Sequence, residues 1–322
     1  MRAMVLQSLE GPDALSPAEV PEPNAPDRVV IEVRAAGVSF ADALVLRGKY
    51  QLRLSPPFVP GTEVAGVVRS APPGSGFRPG DRVAAFVRWG AWAGLAAAEP
   101  FYTFPIPREL PFPEAAALPL NYRTSYFALL WRGGLRAGET VLVHGAGGGG
   151  GSAAVQIAVA SGARVLATAA GEAKQALARS AGADTVLDPG SAWLGAVRDA
   201  TGGRGVDVVF DPVGGAHFDD SVRSLAPGGR LLVVGFAGGA IPTVAVNRLL
   251  LRNASVAGVA FPEFAAHDPT MPRRVAERVL ALLAQGRLRP VIGGRYPLER
   301  AGEAVRALEA RTAVGKLVLV PG

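Results

Sequence analysis

Between residues 140 and 258 the hydrophobic positions fall in short unbroken runs. TVLVHGA, RVLATAA, DTVLD, VDVVFDPV, GRLLVVGF and SVAGVAF are each too short for a helix and are edged by glycine or polar residues, so each reads as a buried strand. Between them lie SAAVQIAVASGA, EAKQALARSAGA and SAWLGAVRDATGG, which read as helices, the first two ending at Gly162 and Gly182. A further helix reaches Leu225, and another separates the last two strands. Six buried strands alternating with helices predict an α/β fold, a doubly wound parallel sheet of the Rossmann kind.

The flanks follow other rhythms. VVIEVRAAGV alternates apolar and polar residues as a half-buried strand does, and PGTEVAGVV and GDRVAAF are short strands introduced by turn residues. Prolines at 105, 107, 111, 113 and 119 mark a connector into the helical stretch NYRTSYFALLWRGG. The tail holds two amphipathic helices, MPRRVAERVLALLAQGRLRP and YPLERAGEAVRALEAR, and a final strand, GKLVLV. It does not continue the alternation and is expected to rejoin the first third in space. A length of 322 residues suits two domains. The expected boundaries are 1–118 and 258–322 for a β-rich domain and 119–257 for the domain of the parallel sheet.

Composition narrows the chemistry. Hydrophobic residues make up 49% and charged residues 19%, ample for packed cores. There is no cysteine, and His144, His217 and His267 are not at ligand spacing, so no metal site is expected. MRAMVLQSL does not read as a signal peptide and no apolar run is long enough to span a bilayer, which predicts a cytoplasmic protein without membrane contact. The net charge of +6 is spread over scattered arginines, with lysine only at 49, 174 and 316. That distribution argues against nucleic acid and fits a small anionic ligand.

The candidate chemistry lies in HGAGGGGGSAAVQ, where six of the seven residues from Gly145 to Gly151 are glycine. A glycine linker would join domains. These glycines instead separate an apolar strand from a helix, the setting of a phosphate-binding turn. Ala146, Gly148 and Gly151 take the three places of the dinucleotide fingerprint, with Gly149 and Gly150 between them. Gly148 would admit a pyrophosphate close to the backbone, and Gly151 would let the helix, starting near it, pack against the strand. The surplus glycines predict a mobile loop. The second strand ends in Ala169, Ala170 and Gly171, with no carboxylate for a ribose hydroxyl. Room for a 2′-phosphate, with Lys174 one turn on, points to NADPH; a solvated lysine on a helix face is the alternative. His144 reads as a core histidine. Trp89 and Trp92 line either a pocket or a packed core.

With GVSFADALVLRGKY, PGTEVAGVV, GDRVAAF, LPLNYRTSYFAL, ETVLVHGAGGGGGSAAVQIA, VDVVFDPVGG, LAPGGRLLVVGFAGG and GKLVLV in place, the chain resembles the zinc-independent, zeta-crystallin-like quinone oxidoreductases of the medium-chain dehydrogenase/reductase superfamily over nearly its whole length. The resemblance implies a GroES-like catalytic domain built from both chain ends. It places Ser39 and Thr62 where zinc-dependent relatives carry Cys and His, and gives Glu63 a local hydrogen-bonding role. It implies catalytic roles for Tyr50 and Ser39, the latter where relatives have Asn. It implies cofactor contacts from Thr124, from Val213 and Gly214, from the backbone at Phe236 and Phe261, from Arg311 as a second candidate for the 2′-phosphate, and from Lys316, for which a bridge between the domains is the alternative. Relatives carry valine where Gly150 stands, and often tyrosine where Asp188 stands.

The implied activity is hydride transfer from NADPH to a quinone. Reduction of an enone, enal or enoyl thioester is the alternative within enzymes, and an NADPH-binding sensor or structural protein the alternative outside them. The resemblance also implies a homodimer paired through the nucleotide-binding domain.

Overall fold

The computed structural model describes residues 1–322, which divide into two compact units. The first takes Met1–Leu120, Pro269–Leu280 and Pro290–Gly322; the second takes Asn121–Asp268 and Ala281–Arg289.

In the first unit, β1 (Arg2–Leu6) and β2 (Leu15–Glu19) pair antiparallel. The main sheet draws β3 (Val29–Val38), β4 (Glu63–Ser70), β5 (Arg82–Phe86), β6 (Leu95–Ala98) and β7 (Thr103–Pro105) from the front of the chain. The strands lettered last, β14 (Ile292–Pro297) and β15 (Lys316–Val320), come from its end. The tail therefore does rejoin the first third: β15 lies antiparallel to β3, with Leu317 opposite Val38. Alternation in β3 explains the packing. Ile31 and Val33 are buried, while Glu32 and Arg34 between and beyond them are exposed. Trp92 is fully buried and donates its indole N–H to Gly37 O at 3.1 Å, so it belongs to the core, whereas Trp89 is exposed.

In the second unit the parallel strands are β8 (Thr140–Val143), β9 (Arg164–Thr168), β10 (Thr185–Leu187), β11 (Val206–Asp211), β12 (Leu225–Val233) and β13 (Ser255–Gly258). Their spatial order is β10-β9-β8-β11-β12-β13, the doubly wound order in which the crevice lies outside the carboxyl ends of the strands where the order reverses. β8 and β11 carry no exposed residue. Buried on both faces, they read as near-continuous apolar runs, interrupted in β11 by Asp207, rather than as alternating ones. The helix Gly149–Ala160 is buried along most of its length, which its small residues Ala153, Ala154 and Ala158 permit. No helix is long and apolar enough to cross a membrane.

The expected boundary at 257 falls inside this unit, which continues to Asp268. The cause is aromatic packing: the rings of Phe261 and Phe264 lie 5.0 and 5.1 Å from that of Phe127. The predicted helical stretch after the proline connector is wound wide, with π turns at Leu118–Tyr122 and Phe127–Arg132 around an α turn at Arg123–Tyr126.

Candidate functional site

The glycine turn is shaped by three separate constraints. Gly145 has φ of 64°, a left-handed conformation that turns the chain sharply after β8. Gly147 lies under Lys174: a Cβ there would stand 2.3 Å from Lys174 Cβ. Gly151 lies against the turn itself, where a Cβ would stand 2.2 Å from Gly145 O and 2.6 Å from Gly145 C. Gly150 meets nothing within 4 Å, and Gly148 only Gly145 O at 3.6 Å. The surplus of glycine is thus partly structural, not merely a source of mobility. The helix begins at Gly149, two residues before the expected start, so Gly149, Gly150 and Gly151 form its first turn.

Gly148 caps this helix with extended backbone and without a side-chain hydrogen bond. The first amides of any α-helix have no intrahelical acceptor, and the helix dipole adds positive potential there. A glycine cap and an open Gly150 leave those amides accessible to an anion that comes close to the backbone. The turn is fixed from behind: Ala146 N–H donates to Thr168 O at 3.0 Å and Gly148 N–H to Gly145 O at 3.0 Å. These features fit a pyrophosphate.

Beside the turn, β9 runs into Ala169, which is buried, and Gly171, whose φ is 79°. Lys174 follows in the helix Glu172–Ser180, half-buried, with its aliphatic stem against Gly147. Asp188 is occupied locally, accepting Gly190 N–H at 2.7 Å.

On the other side, Asp211 at the end of β11 is buried, and its Oδ1 accepts the amides of Val213 (2.9 Å) and Gly214 (2.8 Å). Gly238 N–H donates to Val213 O at 2.7 Å, and a Cβ on Gly214 would stand 3.1 Å from the Phe236 ring. Val213, Gly214 and Phe236 are therefore one assembly. Thr124 is half-buried beside Ser125, whose hydroxyl donates to Gly150 O at 3.2 Å. The Phe261 ring is buried against Phe127, with the Arg123 guanidinium 5.1 Å from its centroid.

The first unit holds a buried polar cluster. Ser39 caps the helix Phe40–Leu46 in a reciprocal capping box with Asp42, a motif that contributes about 1 kcal/mol. Ser39 N–H and Oγ–H both donate to Asp42 Oδ2 at 2.7 Å, and Thr62 Oγ1 donates to Asp42 Oδ1 at 3.3 Å. The single hydroxyl proton of Ser39 is committed to Asp42. Lys316 belongs to the same cluster: it is 3% exposed and its ammonium is paired with the fully buried Glu63. Glu63 Oε2 also accepts Leu120 N–H at 3.1 Å. A Cβ on Gly37 would meet the Glu63 side chain at 2.4 Å, so glycine in β3 makes room for this carboxylate. Burial raises the pKa of both Asp42 and Glu63, while hydrogen bonds and the Lys316 ammonium oppose it.

Tyr50 is half-buried just beyond the helix Phe40–Leu46. Arg311 is exposed and takes φ of 57° after the helix Ala301–Glu309. No group of three or more His, Asp or Glu side chains is arranged to hold a metal ion. Sequence reasoning missed Asp211 and Thr168. An aspartate just before Pro-Val-Gly was the available signal for Asp211, since Asp side chains commonly bind amides two residues on.

Residues 149–284 match the family described as zinc-binding dehydrogenase, and residues 25–99 match the alcohol dehydrogenase GroES-like domain. The quinone oxidoreductase of Rattus norvegicus is 34% identical over 99% of this chain and 98% of its own. A probable oxidoreductase from Mycobacterium abscessus is 49% identical, with a TM-score of 0.92 over 100% of this chain and 99% of that one. A mycobacterial protein solved in complex with NADPH is 34% identical, with a TM-score of 0.93 over 100% of both chains.

Proposed function

The chain belongs to the quinone oxidoreductases of the medium-chain dehydrogenase/reductase superfamily, and from that premise we propose that it is an NADPH-dependent reductase of quinones. The observation that carries the proposal is the glycine turn, whose Gly151 fits only without a Cβ and whose helix opens on a bare glycine cap. NADPH supplies the hydride when bound.

The chain's own residues bind and orient. The amides of Gly149, Gly150 and Gly151, with Ala146 and Gly148 shaping the turn, hold the pyrophosphate. Ala169 leaves space for the 2′-phosphate and Lys174 neutralises it. The Val213–Gly214 turn, kept rigid by Asp211, and the adjoining Phe236 segment orient the nicotinamide end. Thr124 and Arg311 remain proposed contacts by family likeness. Tyr50 is proposed to donate a hydrogen bond to the substrate oxygen, where negative charge develops.

A quinone can take its last protons from water, whereas an enone or enoyl thioester needs a placed donor. The test is NADPH oxidation with a panel of quinones and enones. Turnover of quinones is expected, with Tyr50→Phe lowering enone reduction roughly ten-fold more than quinone reduction. Turnover of no acceptor would remove the reductase reading, and equal losses on both classes would remove the role of Tyr50.

A homodimer paired through the second unit is also proposed. β13 is an edge strand, and Ile241, Val246, Leu250 and Leu251 nearby in sequence are each more than two-thirds exposed. Sedimentation is expected to show a dimer; monomer at every concentration would contradict it.

A further inference from the structure

We infer that His144 is a positioning residue for the cofactor site: its ring ties together the glycine turn, the Ala169–Gly171 turn and the Val213–Gly215 turn. The inference rests on the NADPH reading above and assigns the parts that hold that site in shape.

His144 immediately precedes Gly145 and is 3% exposed. Its Nδ1 lies 3.0 Å from Thr168 Oγ1 and its Nε2 lies 2.9 Å from Ser221 Oγ. Ser221 donates its only hydroxyl proton to His217 O at 2.8 Å. Its oxygen must therefore accept from the ring, which puts the imidazole proton on Nε2. A neutral ring then has a bare Nδ1, and Thr168 donates to it. Every proton in the chain Thr168–His144–Ser221–His217 O is thereby assigned.

Each partner leads to a different turn. Thr168 ends β9, and its carbonyl accepts Ala146 N–H at 3.0 Å, so it grips the glycine turn both directly and through the imidazole. The Ala169–Gly171 turn starts at the next residue. Ser221 lies in the helix Phe218–Arg223, which follows the turn that Asp211 holds through Val213 and Gly214. All three turns follow the carboxyl ends of strands β8, β9 and β11, the edge at which an open α/β sheet takes its ligand.

An imidazole offers one donor and one acceptor at a fixed span on a rigid plane. Phe, with a ring of similar flatness, offers neither. Trp193 packs edge-on at 5.1 Å between ring centroids. The titratable groups that face the ring are Asp211 and His217, and burial outweighs the Asp211 charge, lowering the pKa to about 4. The clamp is therefore intact at neutral pH.

The experiment uses the full chain and three variants, Thr168→Val, Ser221→Ala and His144→Phe. Melting temperature, NADPH Kd and the KM-against-kcat split are measured on each, with nitrogen-15 NMR of the histidines in the wild type. Thr168→Val keeps both shape and carbonyl and is the mildest. It is expected to raise the Kd and KM for NADPH roughly ten-fold while kcat changes by less than about two-fold. The wild-type spectrum is expected to show an Nε2–H imidazole near neutral pH. A folded set of variants that melts lower but binds NADPH like the wild type would overturn the inference and leave a core histidine. So would an Nδ1–H ring or an imidazolium. If the wild type itself bound no NADPH, the cofactor reading would fall first and this inference with it.

Discussion

Gly151→Ala is expected to abolish tight NADPH binding, raising its Kd on the order of a hundred-fold. The new methyl group would stand 2.2 Å from Gly145 O and 2.7 Å from Ala146 Cα, and both are backbone atoms that no side-chain rotation can move. Relief requires the helix Gly149–Ala160 to back away from the end of β8, which carries its first-turn amides away from the anion. Overpacking of this kind costs about 1–3 kcal/mol. Gly150→Ala is the steric control. It adds the same methyl one residue earlier, where nothing lies within 4 Å. Replacing a helical glycine by alanine should stabilise the fold by about 0.5–1 kcal/mol. Thermal melts of the two variants should therefore move in opposite directions. A Gly151→Ala protein that melts and binds like the wild type would show that the turn is not sterically closed.

Lys316→Met is expected to destabilise the first unit by about 3–5 kcal/mol, the usual result of stranding one member of a buried ion pair. Glu63 is fully buried and Asp42 adds repulsion, so without the ammonium its carboxylate is stabilised only by Leu120 N–H among its named partners. Its pKa, already raised by burial, rises further. A carboxyl whose pKa is raised on folding binds more protons folded than unfolded. Stability is then fully present below the ordinary glutamate value of 4.5 and declines as pH rises through the folded pKa. Urea unfolding of Lys316→Met should accordingly show a larger loss at mildly alkaline pH than in mild acid. The double variant with Glu63→Gln should recover most of it. A loss that is the same at both pH values, or that the double variant does not recover, would mean that packing of the lysine stem matters more than its charge.

These two sites differ in how far the sequence disclosed them. The six parallel strands and the glycine turn follow from local pattern: short apolar runs for strands covered on both faces, and glycines between strand and helix. The packing demand at Gly151 agrees with the fingerprint. The demand at Gly147 does not appear in it, because the obstruction comes from Lys174 on the next helix. The pairing of Lys316 is not legible in the sequence, because a basic residue near the chain end carries no sign of its partner. That partner, Glu63, is 253 positions away and meets it only when β15 and β4 both flank β3. The capping role of Ser39 is local and legible, since Ser-x-x-Asp ahead of an apolar helix is a capping pattern. His144 was legible as a core residue. Its clamp was not, since Thr168 and Ser221 are ordinary residues until the sheet brings them together.

The central claim is that the glycine turn, with Lys174 across it, binds the pyrophosphate and 2′-phosphate of NADPH. Its most direct test is calorimetric titration of the protein with NADPH and with NADH, alongside Lys174→Ala. NADPH is predicted to bind more tightly than NADH, and Lys174→Ala to weaken NADPH roughly ten-fold or more while leaving NADH nearly unchanged. Removal of the lysine stem from Gly147 would shift both cofactors alike, so the difference between them isolates the charge. Binding of neither dinucleotide to the wild-type protein, or equal affinity for both, would contradict the account.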